Sequence, residues 1–276
     1  VTVGHRVTHG RPPTPNRRCS MITYTIGDTR DVIATIPDGS VSLIATSPPF
    51  IALRSYLPAD HPDKHAEIGS EPDPATFIDT MLELTAEWGR VLAPWGSIAI
   101  ELGDTYSGSS ALGGDCKPDG EWTKYKRGAL ADAPPVRGGS WPRAKCLALV
   151  PQAYALSLAY GRNVLSGQPS PAGQWLVRNV ITWHRPNPAV GALGDKYRPS
   201  TSQIVVATRS AKRWFDLTAV RTAAQDQTQR NTNGPQSLAQ RHETPGFDVR
   251  VNANPAGAPP LDAWFDEYDG TTDTWT

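Results

Sequence analysis

A buried strand that ends in two consecutive prolines is the feature that most restricts how this chain can fold. Residues 41–45 have the length and β-branched content of a strand inside a sheet, and Ser47-Pro48-Pro49-Phe50 follows almost at once. Proline fixes φ and has no amide hydrogen, so neither a helix nor a strand ladder can continue regularly here. The carbonyls of Ser47 and Pro48 are therefore predicted to face a ligand. Phe50 adds a ring that can stack on a planar group.

Patterns typical of strands and helices alternate along the chain. Strands are predicted at residues 22–26, 41–45, 97–102, 175–183 and 203–208, with a further short one at 213–216. Helices are predicted at 31–36, at 145–160 and, with the clearest signals, after Asp73 and Pro74, an N-cap followed by proline at the first helical position. This alternation predicts the α/β class, with a mainly parallel sheet covered on both faces.

Polar residues come directly after several of the predicted strands. Asp28, Ser47, Asp104 and His184 all occupy such positions. Parallel α/β sheets bind ligands beyond the carboxyl ends of their strands, so these residues are predicted to meet at one edge of the sheet. A turn-forming aspartate is the alternative for Asp28, and a structural hydrogen bond is the alternative for His184.

Composition divides the chain into three regions. Residues 1–20 are rich in proline and arginine and are predicted to be a disordered leader. Residues 21–216 hold the alternating elements, interrupted by a long Gly-, Ser- and Pro-rich loop at 103–143. Residues 217–276 are predicted to be a polar insert or linker. The basic and aromatic cluster at 122–127 either contacts phosphates or is a solvated part of the loop.

Charge and motif content exclude several classes of function. The 27 basic and 27 acidic residues rule out a uniformly basic nucleic-acid-binding surface, although not a local basic face. The sequence has no glycine-rich phosphate loop, no Gly-x-Ser-x-Gly elbow and no paired His ligands, which argues against phosphoryl transfer, acyl hydrolysis and zinc chemistry. Three dispersed cysteines and the lack of a signal or membrane-spanning pattern predict a cytoplasmic protein that does not bind membranes.

Two stretches resemble motifs of the DNA methyltransferases that modify exocyclic amino groups. Ser47-Pro48-Pro49-Phe50 is similar to motif IV in the Ser-Pro-Pro-aromatic form that is typical of cytosine-N4 enzymes. Residues 177–188, Val-Arg-Asn-Val-Ile-Thr-Trp-His-Arg-Pro-Asn-Pro, resemble motif VIII. The order and spacing of the two stretches match the permuted β group of this family, and the resemblance covers roughly residues 21–216.

The resemblance implies a Rossmann-like methyltransferase sheet, S-adenosylmethionine as cofactor and double-stranded DNA as substrate. Ser47, Pro48, Pro49 and Phe50 would then activate and stack a base that is flipped out of the duplex. The resemblance also implies that Trp183 and His184 line the other side of the base pocket, and that Asp28 holds the adenine amino group of the cofactor. Cytosine N4 is the expected target. Adenine N6 stays open as an alternative.

One expected motif is missing from the printed sequence. Members of the permuted group carry a Phe-x-Gly-x-Gly cofactor loop near their C-terminus, and no such motif occurs in these 276 residues. A C-terminally truncated enzyme with an incomplete sheet is therefore expected, inactive alone or active with a second polypeptide that carries the loop. A non-catalytic DNA-binding remnant is the further alternative.

Overall fold

A computed structural model describes residues 22–53, 56–58, 60–107, 139–143, 145–186 and 197–221, together with the backbone of 263–265. The predicted leader, the basic cluster at 122–127 and most of the long loop lie outside the described residues. The chain divides into two units, Val1–Trp214 with Asp262–Thr276, and Phe215–Leu261. The predicted domain boundaries stay predictions.

Helices and strands alternate in the first unit. Its helices are α1 (Thr29–Ala34), α2 (Pro74–Val91) and α3 (Val150–Tyr160), with a short 3-10 helix at Pro62–Ala66. Its strands are β1 (Val41–Thr46), β2 (Leu92–Leu102), β3 (Leu176–His184), β4 (Thr201–Thr208) and β5 (Ala263–Phe265). The described part of the second unit contains a 3-10 helix at Thr218–Val220, where the carboxylate of Asp216 accepts two backbone hydrogen bonds.

The five strands form one sheet in the order β1-β2-β4-β3-β5. The pairs β1–β2 and β3–β5 are parallel, whereas β4 runs antiparallel to both β2 and β3. Four strands therefore point in one direction and β4 alone is reversed, which confirms the predicted α/β class with a mainly parallel sheet. The carboxyl ends of β1, β2 and β3 lie at one edge, as a ligand site at the strand tips requires. Whether further strands complete the sheet stays a prediction.

Helix α2 begins where the sequence predicts. The Asp73 side chain accepts a hydrogen bond from the Thr76 amide at 3.1 Å, and Pro74 occupies the first turn. The helix ends at Val91, and β2 begins at the next residue. Residues 94–96, which precede the predicted strand at 97–102, therefore lie inside β2, where its pairing with β1 shifts register.

The core lies on one face of the sheet. Alternate residues of β2, Ile98, Ile100 and Leu102, are fully buried there with side chains from α2 and α3. The opposite face carries Leu43, which is 55% exposed, and Glu101. No helix that the structure describes covers this second face, in contrast to the coverage on both faces that the alternation predicts.

Two predicted strands are wrong. Residues 22–26 alternate like a strand but are irregular, with Ile22 71% and Ile26 100% exposed. A strand needs a neighbouring strand edge for its backbone groups, and within the described residues this segment has none. Residues 213–216 also form no ladder: the Trp214 amide donates a single hydrogen bond to the Trp95 carbonyl at 2.9 Å.

Helix α3 begins at Val150, five residues after the predicted start. Leu149 adopts a left-handed conformation with φ of 56°, so the chain turns just before the helix. Asp104, at the tip of β2, accepts hydrogen bonds from the amides of Leu149 and Val150 at 3.1 and 3.3 Å. Burial raises the pKa of Asp104, although these amide hydrogen bonds and that of Thr105 oppose the shift. This strand-end carboxylate therefore caps α3.

Candidate base-binding site at the tips of the strands

The Ser-Pro-Pro-Phe segment leaves the sheet at the carboxyl end of β1. Ser47 is exposed, Pro48 is buried, and Phe50 is half-buried against the core. Within the described residues, neither Ser47 nor Pro48 has a hydrogen-bond partner for its carbonyl. The acceptor groups predicted from the sequence are therefore available to a ligand.

Two glycines allow Phe50 to lie close against the backbone of neighbouring segments. A Cβ atom on Gly103, just after β2, would lie 2.5 Å from Cε2 and 2.7 Å from Cδ2 of Phe50. On the other side, a Cβ atom on Gly69 would lie 3.0 Å from the Phe50 carbonyl oxygen. The Ala52 amide donates to the Gly69 carbonyl at 2.8 Å. The ring of Phe50 therefore packs against the tip of β2, and its backbone lies against the segment that precedes α2.

A cavity of about 290 Å³ opens beside this segment. Residues from both stretches that resemble methyltransferase motifs line it, together with side chains from the segment after Phe50 and from β2. The lining residues are Ser47, Pro48, Pro49, Phe50, Leu53, Tyr56, Glu101, Trp183 and Arg185. Five of the seven residues predicted to form the site, Ser47 to Phe50 and Trp183, therefore surround one space.

Strand pairing explains why Trp183 reaches the cavity and His184 does not. In the sheet, Ile204 of β4 stands opposite both Glu101 and Ile181. Trp183 is two residues beyond Ile181 and therefore shares the face that carries Glu101. His184, one residue further, projects to the opposite face and is not among the lining residues. The structure thus separates the two residues predicted to form one side of the base pocket.

Asp28 lies outside this cavity and caps α1. Its Oδ1 atom accepts a hydrogen bond from the Arg30 amide at 2.8 Å and lies 3.3 Å from the Arg30 Nε atom. Within the part of the chain that the structure describes, the contacts of Asp28 use Oδ1, which leaves the lone pairs of Oδ2 for a further donor. The Arg30 guanidinium also donates to the Ala66 carbonyl, which ties the start of α1 to the segment before α2.

An ion pair crosses the cavity between β2 and the end of β3. Arg185 Nη2 lies 3.6 Å from Glu101 Oε1, with the Glu101 side chain 14% exposed and that of Arg185 44% exposed. The Arg185 amide donates to the Ser200 carbonyl at 2.7 Å, which holds the backbone after β3 in place. The cavity therefore offers a cationic donor at the end opposite Ser47 and Pro48.

Glu67 anchors the segment that brings Tyr56 to the cavity. Its carboxylate accepts hydrogen bonds from four groups: the amides of Tyr56 and Leu57, Lys64 Nζ and Ser70 Oγ. Burial acts to raise the pKa of Glu67, but these hydrogen bonds outweigh it and lower the pKa to about 2.

Acidification is expected to release this segment. The pKa of Glu67 in the folded protein lies below its ordinary value of 4.5. The stabilisation that the ionised carboxylate gives to the segment around Tyr56 is therefore present above pH 4.5 and is lost as the pH falls towards 2. Hydrogen exchange of the Tyr56 and Leu57 amides, measured against amides of α2, should accelerate over that range. Glu67→Ala should produce the fast exchange already at pH 7, and Asp63→Ala at an exposed position should not. Equal protection in Glu67→Ala and the unchanged protein would contradict this role.

A second cavity, of about 670 Å³, lies between α1, residues 65–72 and α2. Four carboxylates line it, from Glu67, Glu71, Glu83 and Glu87, against the basic side chains of Arg30 and His65. Such a lining repels a polyanion, so the smaller cavity at the strand tips is the better site for a DNA base.

Several lining residues were not predicted from the sequence. Glu101 offered a signal, because a carboxylate within an otherwise apolar strand marks a functional position when it is partly buried. Leu53 and Tyr56 lie in a segment without periodicity. Arg185 belongs to the stretch that resembles motif VIII, but the sequence predicts no role for it. Among the described residues, no group of three or more His, Cys, Asp or Glu side chains is placed to hold a metal ion. No described helix has the length and apolar character needed to cross a membrane.

The chain is similar over most of its length to known DNA methylases. A family model described as DNA methylase, N6_N4_Mtase, matches residues 41–274. Type II methyltransferase M.SfiI of Streptomyces fimbriatus is 28% identical over 196 residues, which cover 71% of this chain and 38% of that protein. Type II methyltransferase M.Cfr9I of Citrobacter freundii is 29% identical over 195 residues, which cover 71% of this chain and 57% of that protein.

Among solved structures, the PvuII DNA methyltransferase (cytosine-N4-specific) aligns with a TM-score of 0.42 and 14% identity, over 75% of this chain and 60% of that one. The chain therefore spans between about two fifths and three fifths of the length of these proteins.

Proposed function

Because this chain belongs to the N6_N4_Mtase family of DNA methylases, we propose that it takes part in transferring a methyl group from S-adenosylmethionine to the exocyclic N4 of cytosine in DNA. The observation that carries this proposal is the cavity that joins Ser47 to Phe50 with Trp183. The relatives M.SfiI and M.Cfr9I are Type II methyltransferases, which supports a role in site-specific DNA modification.

The acceptors at the strand tip fit the chemistry of an amino group. The lone pair of the cytosine amino nitrogen is delocalised into the ring, so the nitrogen is a poor nucleophile until acceptors bind its hydrogens. The hydroxyl of Ser47 and the carbonyl of Pro48 accept those two hydrogens and favour a tetrahedral nitrogen. Pro49 keeps the Pro48 carbonyl in position, because a proline restricts the backbone ψ angle of the residue before it.

The aromatic side chains fit the base itself. A base inside a duplex cannot reach these acceptors, so it is flipped into the cavity. The ring of Phe50, which packs against Gly103, provides a flat surface on which the base stacks. Trp183 and the side chains after Phe50 close the cavity around it.

S-adenosylmethionine supplies an electrophilic sulfonium methyl group when it is bound. Asp28 is suited to hold the adenine amino group of this cofactor with Oδ2, since its Oδ1 atom caps α1. The second polypeptide that would supply a Phe-x-Gly-x-Gly loop rests only on the absence of this motif from the 276 residues, and it stays a proposal. The cytoplasmic location is likewise a proposal.

Ser47 is the feature that favours cytosine over adenine as the target base. A serine in the first position of this motif is typical of the cytosine-N4 members that the sequence resembles, although it does not exclude adenine N6. The cavity contains both the serine hydroxyl and the cationic donor of Arg185, and the second of these provides a further means of distinguishing the two bases.

A labelling experiment tests the proposed function. Unmethylated genomic DNA is incubated with methyl-labelled S-adenosylmethionine and the protein, with and without a polypeptide carrying the Phe-x-Gly-x-Gly loop, and then digested to nucleosides. Label is expected in a deoxycytidine derivative. Label only in deoxyadenosine would contradict the choice of base, and a failure to label DNA while the cofactor is bound would contradict the methyltransferase activity.

A further inference from the structure

We propose that Arg185 selects cytosine by donating hydrogen bonds to N3 and O2 of the flipped base, and that Glu101 positions Arg185 for this contact. The inference rests on the proposed function, since it assumes that the cavity at the strand tips receives the target base. It adds a residue that distinguishes cytosine from adenine, a choice that the acceptors at Ser47 and Pro48 leave open.

Ser47 and Arg185 approach the cavity from opposite sides. Ser47 follows β1 and Arg185 follows β3, and β2 and β4 lie between these strands in the sheet. On the Watson–Crick edge of cytosine, the amino group and O2 lie at opposite ends with N3 between them. A cytosine whose amino group is bound at Ser47 therefore directs N3 and O2 towards the side of the cavity that Arg185 lines.

The guanidinium group matches cytosine and mismatches adenine. Arginine offers only donors, arranged as a planar fork that can bind two adjacent acceptors. Cytosine N3 and O2 are two such acceptors. Adenine presents the acceptor N1 beside its amino group, but it carries a C–H group where cytosine carries O2. The same arginine donor is left without a partner when adenine occupies the cavity, which disfavours that base.

Glu101 directs Arg185 to the base and away from the DNA backbone. Its carboxylate projects from β2, is largely buried, and lies 3.6 Å from Arg185 Nη2. Within the described part of the chain, Glu101 is the acidic residue that forms an ion pair with Arg185. A carboxylate beside the guanidinium repels a phosphate group, whereas it leaves the neutral edge of a base free to bind. The pair is therefore better suited to reading a base than to holding the backbone.

Binding of free deoxynucleosides to the full 276-residue chain tests this inference. Deoxycytidine, deoxyadenosine and 2′-deoxy-3-deazacytidine, in which C–H replaces N3, are titrated by ligand-observed NMR. Nucleosides are used because they carry no phosphate that could bind Arg185 instead. The protein is expected to bind deoxycytidine about tenfold more tightly than either other nucleoside. Arg185→Met should abolish this preference with an unchanged melting temperature.

Matched variants separate base reading from general effects. Arg178→Met removes an exposed arginine of β3, the strand that Arg185 follows. Arg178 does not line the cavity, so this variant should keep the full preference for deoxycytidine. Glu101→Gln retains the shape of the side chain but not its charge, and it should reduce the preference while deoxyadenosine binding stays the same. Arg185→Lys keeps the charge without the fork and should lose the discrimination against the deaza analogue.

Three results would overturn the inference. The first is a preference for deoxycytidine that survives Arg185→Met. The second is an equal weakening of the binding of all three nucleosides by that variant, and the third is a native protein that binds all three equally well. Nucleoside analysis of methylated DNA decides the proposed function independently. Methylated cytosine made by a protein whose preference does not depend on Arg185 refutes only the role of Arg185, whereas methylated adenine as the sole product refutes the proposed function itself.

Discussion

Replacing Ser47 with alanine is expected to lower methyl transfer to DNA by about a hundredfold or more, the usual cost of removing one group that stabilises charge in a transition state. The side chain is exposed at the tip of β1 and does not belong to the core, so the melting temperature should stay unchanged. Initial rates of label incorporation at saturating cofactor, together with thermal unfolding, provide the measurement.

A serine at another exposed position provides the control for Ser47→Ala. Ser166 lies in the turn after α3, where its hydroxyl accepts a long hydrogen bond from the Gln168 amide at 3.3 Å. Ser166→Ala should keep the full rate of transfer. An unchanged rate in Ser47→Ala would refute the acceptor role of the hydroxyl, and equal losses in both variants would show that the effect is not specific to the site.

Replacing Gly103 with alanine is expected to lower methyl transfer by up to about a hundredfold through displacement of Phe50. The new Cβ atom would lie 2.5 Å from a ring atom of Phe50, so the ring must move. A shift of about 1 Å in a group that positions the substrate can cost this much. Gly103 does not have a positive φ, so alanine fits the backbone and the loss comes from the ring.

A double-mutant cycle assigns the effect of Gly103→Ala to Phe50. Phe50→Ala alone should lose most of the activity because the stacking surface is absent. Adding Gly103→Ala to Phe50→Ala should cause little further loss, since the three atoms nearest to the new Cβ all belong to the Phe50 ring. Additive losses in the double variant would show that Gly103 acts through something other than the ring, and would contradict the positioning role.

The sequence predicted correctly those helices and strands that are determined by residues close together in the chain. Asp73 and Pro74 mark the start of α2 because capping and proline geometry depend only on neighbouring residues. The apolar run before Ser47 likewise becomes β1. By contrast, residues 22–26 carry the alternation of a strand but form none, because pairing depends on an edge supplied by distant residues and not on the pattern itself.

The composition of the cavity was only partly predictable for the same reason. The resemblance to motif VIII places Trp183 and His184 together, but the pleat of β3 sends them to opposite faces. Which of the two reaches the cavity depends on the register with β4, which no local pattern specifies. The contact between Arg185 and Glu101 joins residues more than eighty positions apart in the chain, so it became visible only in three dimensions.

The cavity also connects residues that serve different parts of the proposed reaction. In the proposed reaction, Ser47 and Pro48 bind the amino group, and Phe50 stacks on the ring of the base. Glu101 and Arg185 lie at the far side of the same space, where they can read the remainder of the base edge. The proposed selectivity and the proposed activation therefore depend on one arrangement of strand tips, and a change in that arrangement should affect both together.

The identity of the methylated nucleoside tests the central claim most directly. DNA is treated with the protein or with its Ser47→Ala variant, each together with the polypeptide that carries the Phe-x-Gly-x-Gly loop. It is then digested completely and analysed by mass spectrometry against authentic standards. N4-methyldeoxycytidine is predicted with the unchanged protein and should be nearly absent with the variant. N6-methyldeoxyadenosine as the sole product, or equal amounts of N4-methyldeoxycytidine from both proteins, would contradict the account.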